Sequence, residues 1–310
     1  MSQYAAAHLQ PKVAVITGAT SGIGLETARA LSATGATLFL TARDLPKAKA
    51  SLQEILEPGR VSLVEMDNSS VESVRNAAAT ILTNSNGLIN ILINNAGTTG
   101  ISNLTLTKDE HEIHFAVNYL SHFLLFHLIR LALLASATSN LGSRVVNVAS
   151  SAHRAGNLDN MVNYNFQDGG YDHGLAYANS KLATVYMANE IDRRYGHMGL
   201  HATSLHPGGI NTNISRNIGP EFVAQIMSNP KVLKILKSTE QGAATTVIAA
   251  VGKDWEGKGG KYLEDCEEAR RGPDDNDVFG VGWVRQTYNS ENERRLWVDS
   301  LKILGMSDDI

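Results

Sequence analysis

A doubly wound α/β fold, with a parallel sheet covered by helices on both faces, is what this chain predicts. Three observations carry the prediction. Short apolar runs of strand length recur along the sequence, and segments with helical spacing separate them. Strands buried on both faces read as unbroken apolar runs rather than alternating ones. A glycine-rich turn joins the first run to the first helical segment, the point where such sheets hold ligands. No internal repeat or low-complexity linker interrupts the pattern, so residues 1–310 read as one domain.

The elements follow in order. Residues 12–17 form the first apolar run and 23–33 have helical spacing with few breakers. A second strand is expected at 37–41, then a helix at 48–56 closed by Pro58 and Gly59. Residues 61–66 read as a third strand. Ser69 with Glu72 three positions on has the form of a capping box opening the next helix. Strands are expected at 89–93, 145–148 and 200–205, with a short last one at 260–263. The stretch 115–135 is apolar and long enough to span a bilayer, but it carries Asn118, His122, His127 and Arg130. Such polar content suits a core helix packed on several sides better than a membrane span. Two stretches break the rhythm: a loop at 155–174, rich in Asn, Asp and Gly, and a helical excursion at 213–238. A C-terminal extension, 273–310, begins polar and regains helical spacing near 291–304.

Composition excludes several classes of function. Hydrophobic residues make up 43% and charged residues 19%, and the net charge is −4. That balance argues against nucleic acid or a polybasic membrane contact. Cys266 is the sole cysteine, so a reducing compartment is expected. Residues 1–10 contain no apolar run suited to a signal peptide, so a cytoplasmic protein without a membrane anchor is expected. His153, His173 and His206 stand near informative segments but lack metal-ligand spacing, so no metal is expected.

The turn reads Thr17-Gly18-Ala19-Thr20-Ser21-Gly22-Ile23-Gly24. Its glycines permit tight turning and close approach of backbone to a ligand. The helix N-terminus that follows offers free N–H groups and partial positive charge, which suits a pyrophosphate. The spacing Gly-x-x-x-Gly-x-Gly differs from the commoner dinucleotide fingerprint. Arg43 lies just past the second strand, where the adenosine ribose of a bound dinucleotide belongs. An arginine there receives a 2′-phosphate, which favours NADP(H) over NAD(H). Asp44 beside it carries the opposite preference. Asp67, followed by Asn68, ends the third strand at the adenine end of such a site. The alternative for Asp67 is a turn residue bonding its own backbone.

Tyr177 and Lys181 stand four apart, so on a helix they share a face. A phenol with a pKa near ~10 is a poor base at neutral pH, but a neighbouring cation favours its ionised form. The pair is thus a proton donor and acceptor suited to a carbonyl or an alcohol. The plain alternative is a half-buried tyrosine beside a solvated lysine.

Taken together, these motifs resemble the short-chain dehydrogenase/reductase family over about residues 12–262. The family's order is kept: Thr-Gly-x3-Gly-Ile-Gly at 17–24, Asn-Asn-Ala-Gly at 94–97, Asn118, a serine after the fifth strand, Tyr-x-x-x-Lys at 177–181, and Pro-Gly at 207–208. Thr-Ala-Arg-Asp at 41–44, Asn-Val-Ala-Ser-Ser-Ala-His at 147–153 and Leu-Ala-Tyr-Ala-Asn-Ser-Lys at 175–181 look most like its retinol-dehydrogenase-like group. The resemblance implies a Rossmann-type fold and an NADP(H)-dependent oxidoreductase acting on a carbonyl or alcohol of a small, apolar substrate. It implies Tyr177 as general acid/base, Lys181 as the group that lowers its pKa and holds the nicotinamide ribose, and Ser150 (rather than Ser151) on the substrate oxygen. Asn118 would hold a water leading from Lys181 to solvent. Asn95, Ala96 and Gly97 would brace the sheet near the adenosine ribose, and Pro207, Gly208 and Thr212 would lie against the nicotinamide. A homodimer is compatible with the resemblance, because helices near 103–135 and 175–195 are the family's usual dimer surfaces. Ala149 replaces the first serine of the family's usual pair, and 27 residues separate Ser150 from Tyr177, more than in most of the family. The excess falls in 155–174. A lid over the substrate is expected from 213–238, offering Ile214, Ile218, Phe222 and Ile226 to an apolar ligand; the plain alternative is that they pack against the body as ordinary helix faces. The same residues also suit reduction of an imine or alkene, or epimerisation. A sensor that binds NADP(H) without turnover would have no need of the intact Ser150, Tyr177 and Lys181.

Overall fold

In a computed structural model the short apolar runs of the sequence become strands, most of them paired in parallel. The structure describes residues 12–138, 141–159, 163–210 and 236–308, together with positions 214, 224, 228 and 233. The strands are β1 (Val13–Thr17), β2 (Thr37–Ala42), β3 (Val61–Glu65), β4 (Ile91–Asn94), β5 (Ser143–Val148), β6 (Leu200–His206), β7 (Gly209–Ile210), β8 (Leu236–Lys237), β9 (Lys261–Glu264) and β10 (Glu267–Glu268). Eight of them form one sheet in the order β10-β9-β6-β5-β4-β1-β2-β3. All its pairings are parallel except β9 with β10. β7 and β8 form a separate parallel pair. The chain runs outward from β1 to β2 and β3, then crosses back to β4 on the other side of β1. A crevice opens at that switch point, outside the carboxyl ends of the strands.

The helices are α1 (Gly22–Ser32), α2 (Leu45–Leu52), α3 (Val71–Asn84), α4 (Ile113–Ser136), α5 (His173–Tyr195), α6 (Thr239–Val251) and α7 (Ser290–Ile303). One apolar layer lies between the sheet and α1, α2 and α6, through Ala28, Leu31, Ala48, Leu52, Ala249 and Ala250. The other lies between the sheet and α3, α4 and α5, and α7 closes it from outside with Leu296, Trp297 and Leu301. Both faces of β1, β4 and β5 are therefore covered, which is why those strands are apolar throughout. By length and composition α4 would cross a bilayer, but here it is a core helix, mostly buried in the second layer. Its polar residues find partners within the fold, as the expectation for 115–135 required.

Several boundaries differ from the sequence reading. Ser70, not Ser69, caps α3, accepting from the Ser73 amide at 3.1 Å. Ser69 instead turns back on Asp67, donating its amide and hydroxyl to Oδ1 at 2.9 and 2.7 Å. Two adjacent serines qualify as caps, and the Asp67 turn decides between them. α2 begins earlier than expected because Asp44 caps it, accepting from the Lys47 amide at 2.9 Å. The loop at 155–174 is entered through a 3-10 turn, Ser151–Ala155. Most of 213–238, with Ile218, Phe222 and Ile226, lies outside the described residues, as does Thr212.

Candidate active site

The carboxyl ends of the strands frame a cleft of about 400 Å³. Its lining includes the glycine turn, Arg43, Asp67, Asn68, Asn95–Gly97, Ser150, Tyr177, Lys181, Pro207 and Gly208. Among the described residues, the structure thus brings nearly all the sequence-derived positions to one place. Asn118 is buried behind the wall.

The phosphate end is built by close backbone approach. Gly18 has φ +66°, and a methyl group there would sit 2.9 Å from Ala96 Cα. A methyl on Gly24 would lie 2.2 Å from the Gly18 carbonyl oxygen and 2.5 Å from Asn95 Nδ2. Thr17 Oγ1 accepts from the Asn95 and Ala96 amides, both at 2.9 Å, and Asn95 Nδ2 donates to the Thr17 and Gly18 carbonyls. The 94–97 segment is thereby locked to the turn. α1 starts directly behind it with no side-chain cap at Ser21 and no acid in its first turn. Uncapped N–H groups and the helix dipole face the cleft, which fits a pyrophosphate. Arg43 is exposed at the rim and makes no hydrogen bond or ion pair among the described residues, whereas Asp44 is committed to capping α2. Asp67 does form the turn bond of its alternative reading, through Oδ1. Its Oδ2 stays without a hydrogen bond among the described residues, at the cleft. Asn68 Nδ2 donates to Ser121 Oγ at 2.8 Å.

At the other end Ser150 and Tyr177 both line the cleft. Ser150 Oγ also accepts the Ala152 amide at 3.1 Å, capping the turn that follows. Lys181 is buried and donates to the Val148 carbonyl at 2.9 Å. Burial pushes its pKa down to about 8. Burial also raises the Tyr177 phenol, and the nearby Ser150 hydroxyl pulls it partly back. The expected lowering by Lys181 is therefore corrected. The ammonium lies 5.9 Å from the centre of the phenol ring and is turned to a carbonyl, so it leaves the hydroxyl uncharged.

Asn118 sits where α4 widens into a π turn over Ala116–Leu120, a feature common at functional sites. Its Oδ1 accepts the Thr98 amide at 2.7 Å, and Nδ2 donates to the Thr98 carbonyl and to Ser180 Oγ at 3.0 and 2.9 Å. The side chain is a structural tie between 97–99, α4 and α5. It also approaches Lys181: a methyl on Gly97 would be 3.2 Å from Asn118 Oδ1 and 3.6 Å from Lys181 Nζ.

Two histidines gain meaning here. His122 Nδ1 meets the Asn118 carbonyl at 3.0 Å and Nε2 meets Thr17 Oγ1 at 2.9 Å, joining the two ends of the cleft. His206 lines the cleft, and its Nδ1 accepts the Ser151 amide at 3.1 Å, which places the ring proton on Nε2. That Nε2 makes no hydrogen bond among the described residues. Burial, then Lys237, pushes the His206 pKa down to about 3. It is a neutral donor with a fixed tautomer. No spacing rule in the sequence marks either ring, because both depend on strands meeting side by side. Ile101, Ile113, Val117 and Ile214 give the open part of the cleft an apolar wall. Ile214 was anticipated; the other three were not.

Residues 12–222 match the family model described as short chain dehydrogenase. The chain belongs to the short-chain dehydrogenase/reductase family. It is 48% identical over 302 residues to short-chain dehydrogenase/reductase prx1 of Penicillium rubens, covering 97% of this chain and 87% of that protein. It is 33% identical over 302 residues to retinol dehydrogenase 13 of Mus musculus, covering 96% and 84%. A solved structure of an uncharacterised Mycobacterium paratuberculosis protein superposes with a TM-score of 0.71 at 28% identity, covering 98% of each chain. Like its family, this short-chain dehydrogenase/reductase binds a nicotinamide cofactor and interconverts CH–OH and C=O. The cleft fits that cofactor in its uncapped α1 N-terminus and in the backbone cradle at Gly18 and Gly24.

Proposed function

We propose that the protein is an NADP(H)-dependent oxidoreductase that reduces a carbonyl, or oxidises the matching alcohol, on a small apolar substrate. The observation that carries this reading is that Ser150, Tyr177 and the buried Lys181 line one end of the cleft together, with the ammonium 5.9 Å from the phenol ring. In this reading the two hydroxyls hold the carbonyl oxygen, where negative charge develops during reduction. When bound, the nicotinamide supplies the hydride. Tyr177 gives its proton to the nascent alkoxide. The phenolate left behind has a raised pKa, while Lys181 has a lowered one, so proton flow from the ammonium side back to Tyr177 runs downhill. Asn118 stands beside Lys181 and is the candidate link to solvent. The apolar wall of Ile101, Ile113, Val117 and Ile214 supports a substrate with little polarity beyond its carbonyl.

The preference for NADP(H) rests on Arg43, exposed at the ribose end, and on the capping role that occupies Asp44. Arg43→Ala should raise the KM for NADPH by about tenfold or more, the scale of one lost charge-assisted hydrogen bond. The KM for NADH should barely move. Steady-state kinetics with decanal and each cofactor measure this, and equal effects on the two cofactors would refute the 2′-phosphate assignment.

A further inference from the structure

The 3-10 turn that follows Ser150 owes most of its anchorage to residues over a hundred positions later. Arg154, at the end of that turn, is fully buried. Its guanidinium donates to the carbonyls of Asp277 (2.9 Å), Val281 (2.8 Å), Gly282 (3.1 Å) and Pro273 (2.8 Å), and to the Asp275 carboxylate (2.6 Å). These groups belong to one loop whose ends are pinned together: the Gly272 amide donates to the Trp283 carbonyl at 2.7 Å. The loop is thus a closed ring of backbone wound around a single cation, an Ω-loop in form. Glycine makes the fit possible. A methyl on Gly280 would lie 2.7 Å from Arg154 Nη2, and one on Gly272 would lie 2.6 Å from Nη1.

The same loop and the residues after it hold the rest of the turn. Ser151 Oγ donates to the Val278 carbonyl at 2.7 Å. His153 joins the Ser150 carbonyl through Nδ1 at 2.7 Å and Thr287 through Nε2 at 3.0 Å. Gln286 donates to the Arg154 carbonyl at 2.6 Å. The family model ends at residue 222, so the loop, Gln286 and Thr287 lie beyond the part that it describes.

We propose that Arg154 is a positioning residue for the reaction. By gathering 272–283 around its guanidinium it fixes the turn that begins at Ser150, and so holds the Ser150 hydroxyl in register with Tyr177. The C-terminal extension is in this sense part of the active site. The inference rests on the assignment of Ser150 to the carbonyl oxygen. A fully buried guanidinium with five hydrogen bonds cannot be replaced by a lysine, whose point charge reaches fewer acceptors in one plane.

The test uses the full chain and two variants that act from opposite sides, Arg154→Met on the turn and Gly280→Ala on the loop. Amide hydrogen exchange read by mass spectrometry needs no substrate. Both variants should lose protection at 151–153, where the Ser151, Ala152 and His153 amides are hydrogen-bonded, while 177–185 stays protected. With NADPH and decanal, kcat should fall by about tenfold to a hundredfold, the scale of a small misplacement of a reacting group. The NADPH dissociation constant, from fluorescence, should change by less than about twofold. In a further variant, Arg154→Ala, which leaves room for the ion, added guanidinium should restore part of kcat. Unchanged protection at 151–153 in a folded variant would overturn the proposal, as would unchanged kcat. Ser150→Ala is the control that separates the two readings: if it too keeps full activity, the Ser150 assignment fails; if it is inactive while the Arg154 and Gly280 variants are not, the clamp alone fails.

Discussion

At the scale of single residues, burial sets the proton chemistry. Tyr177 and Lys181 are legible in the sequence because four-residue spacing on a helix is a local property. Their environments are not, since Lys181 is desolvated by the sheet and faces a carbonyl 33 positions earlier. The consequence is a pKa of about 8 where a surface lysine would have its ordinary value. As a proton source Lys181 must be an ammonium, and the ammonium fraction falls as pH rises through that value. Carbonyl reduction should therefore lose activity above pH 8, approaching tenfold per pH unit, while alcohol oxidation gains over the same range. Tyr177, raised rather than lowered, adds no limb below it. A profile of kcat/KM for reduction that stays flat to about pH 9.5 would contradict this role for Lys181.

At the scale of elements, strands were readable because a parallel sheet demands continuous apolar runs, and β1 to β6 fall close to the expected positions. Cap positions were harder, since Ser69 and Ser70 are chemically equivalent and a turn at Asp67 chooses between them. The β1–α1 junction was legible down to its glycines, because only glycine tolerates the contacts found there. Gly24→Ala would place a methyl 2.2 Å from the Gly18 carbonyl, and relieving that clash by moving α1 costs about 1–3 kcal/mol. NADPH binding should weaken by about tenfold or more if the displaced N-terminus holds the cofactor's phosphates. Calorimetric titration with NADPH checks this; a dissociation constant equal to that of the unsubstituted protein would show that the turn does not carry the cofactor.

At the scale of the whole molecule, long-range ties escape a sequence reading altogether. The tail after Pro273 looks merely polar, yet it encloses Arg154, and α7 covers α4 and α5 from outside. Buried histidines are a second collective property. Burial holds His122 and His153 at about 4 and His206 at about 3. These values lie below the 6.5 of an exposed imidazole, so the unfolded chain binds more protons throughout the window between. Stability should thus be complete above pH 6.5 and fall as pH drops toward 4, by on the order of 3 kcal/mol per ring. Denaturant midpoints that hold constant from pH 7 to about pH 4.5 would contradict the buried neutral state. In the proposed function the cleft works as a unit, with a cofactor held at Gly18–Gly24 and a proton delivered by Tyr177. The most direct test is the Tyr177→Phe protein, assayed for NADPH binding and for decanal reduction side by side. The account predicts binding close to that of the unsubstituted protein with at least ~10²-fold slower turnover; turnover near the unsubstituted rate would contradict it.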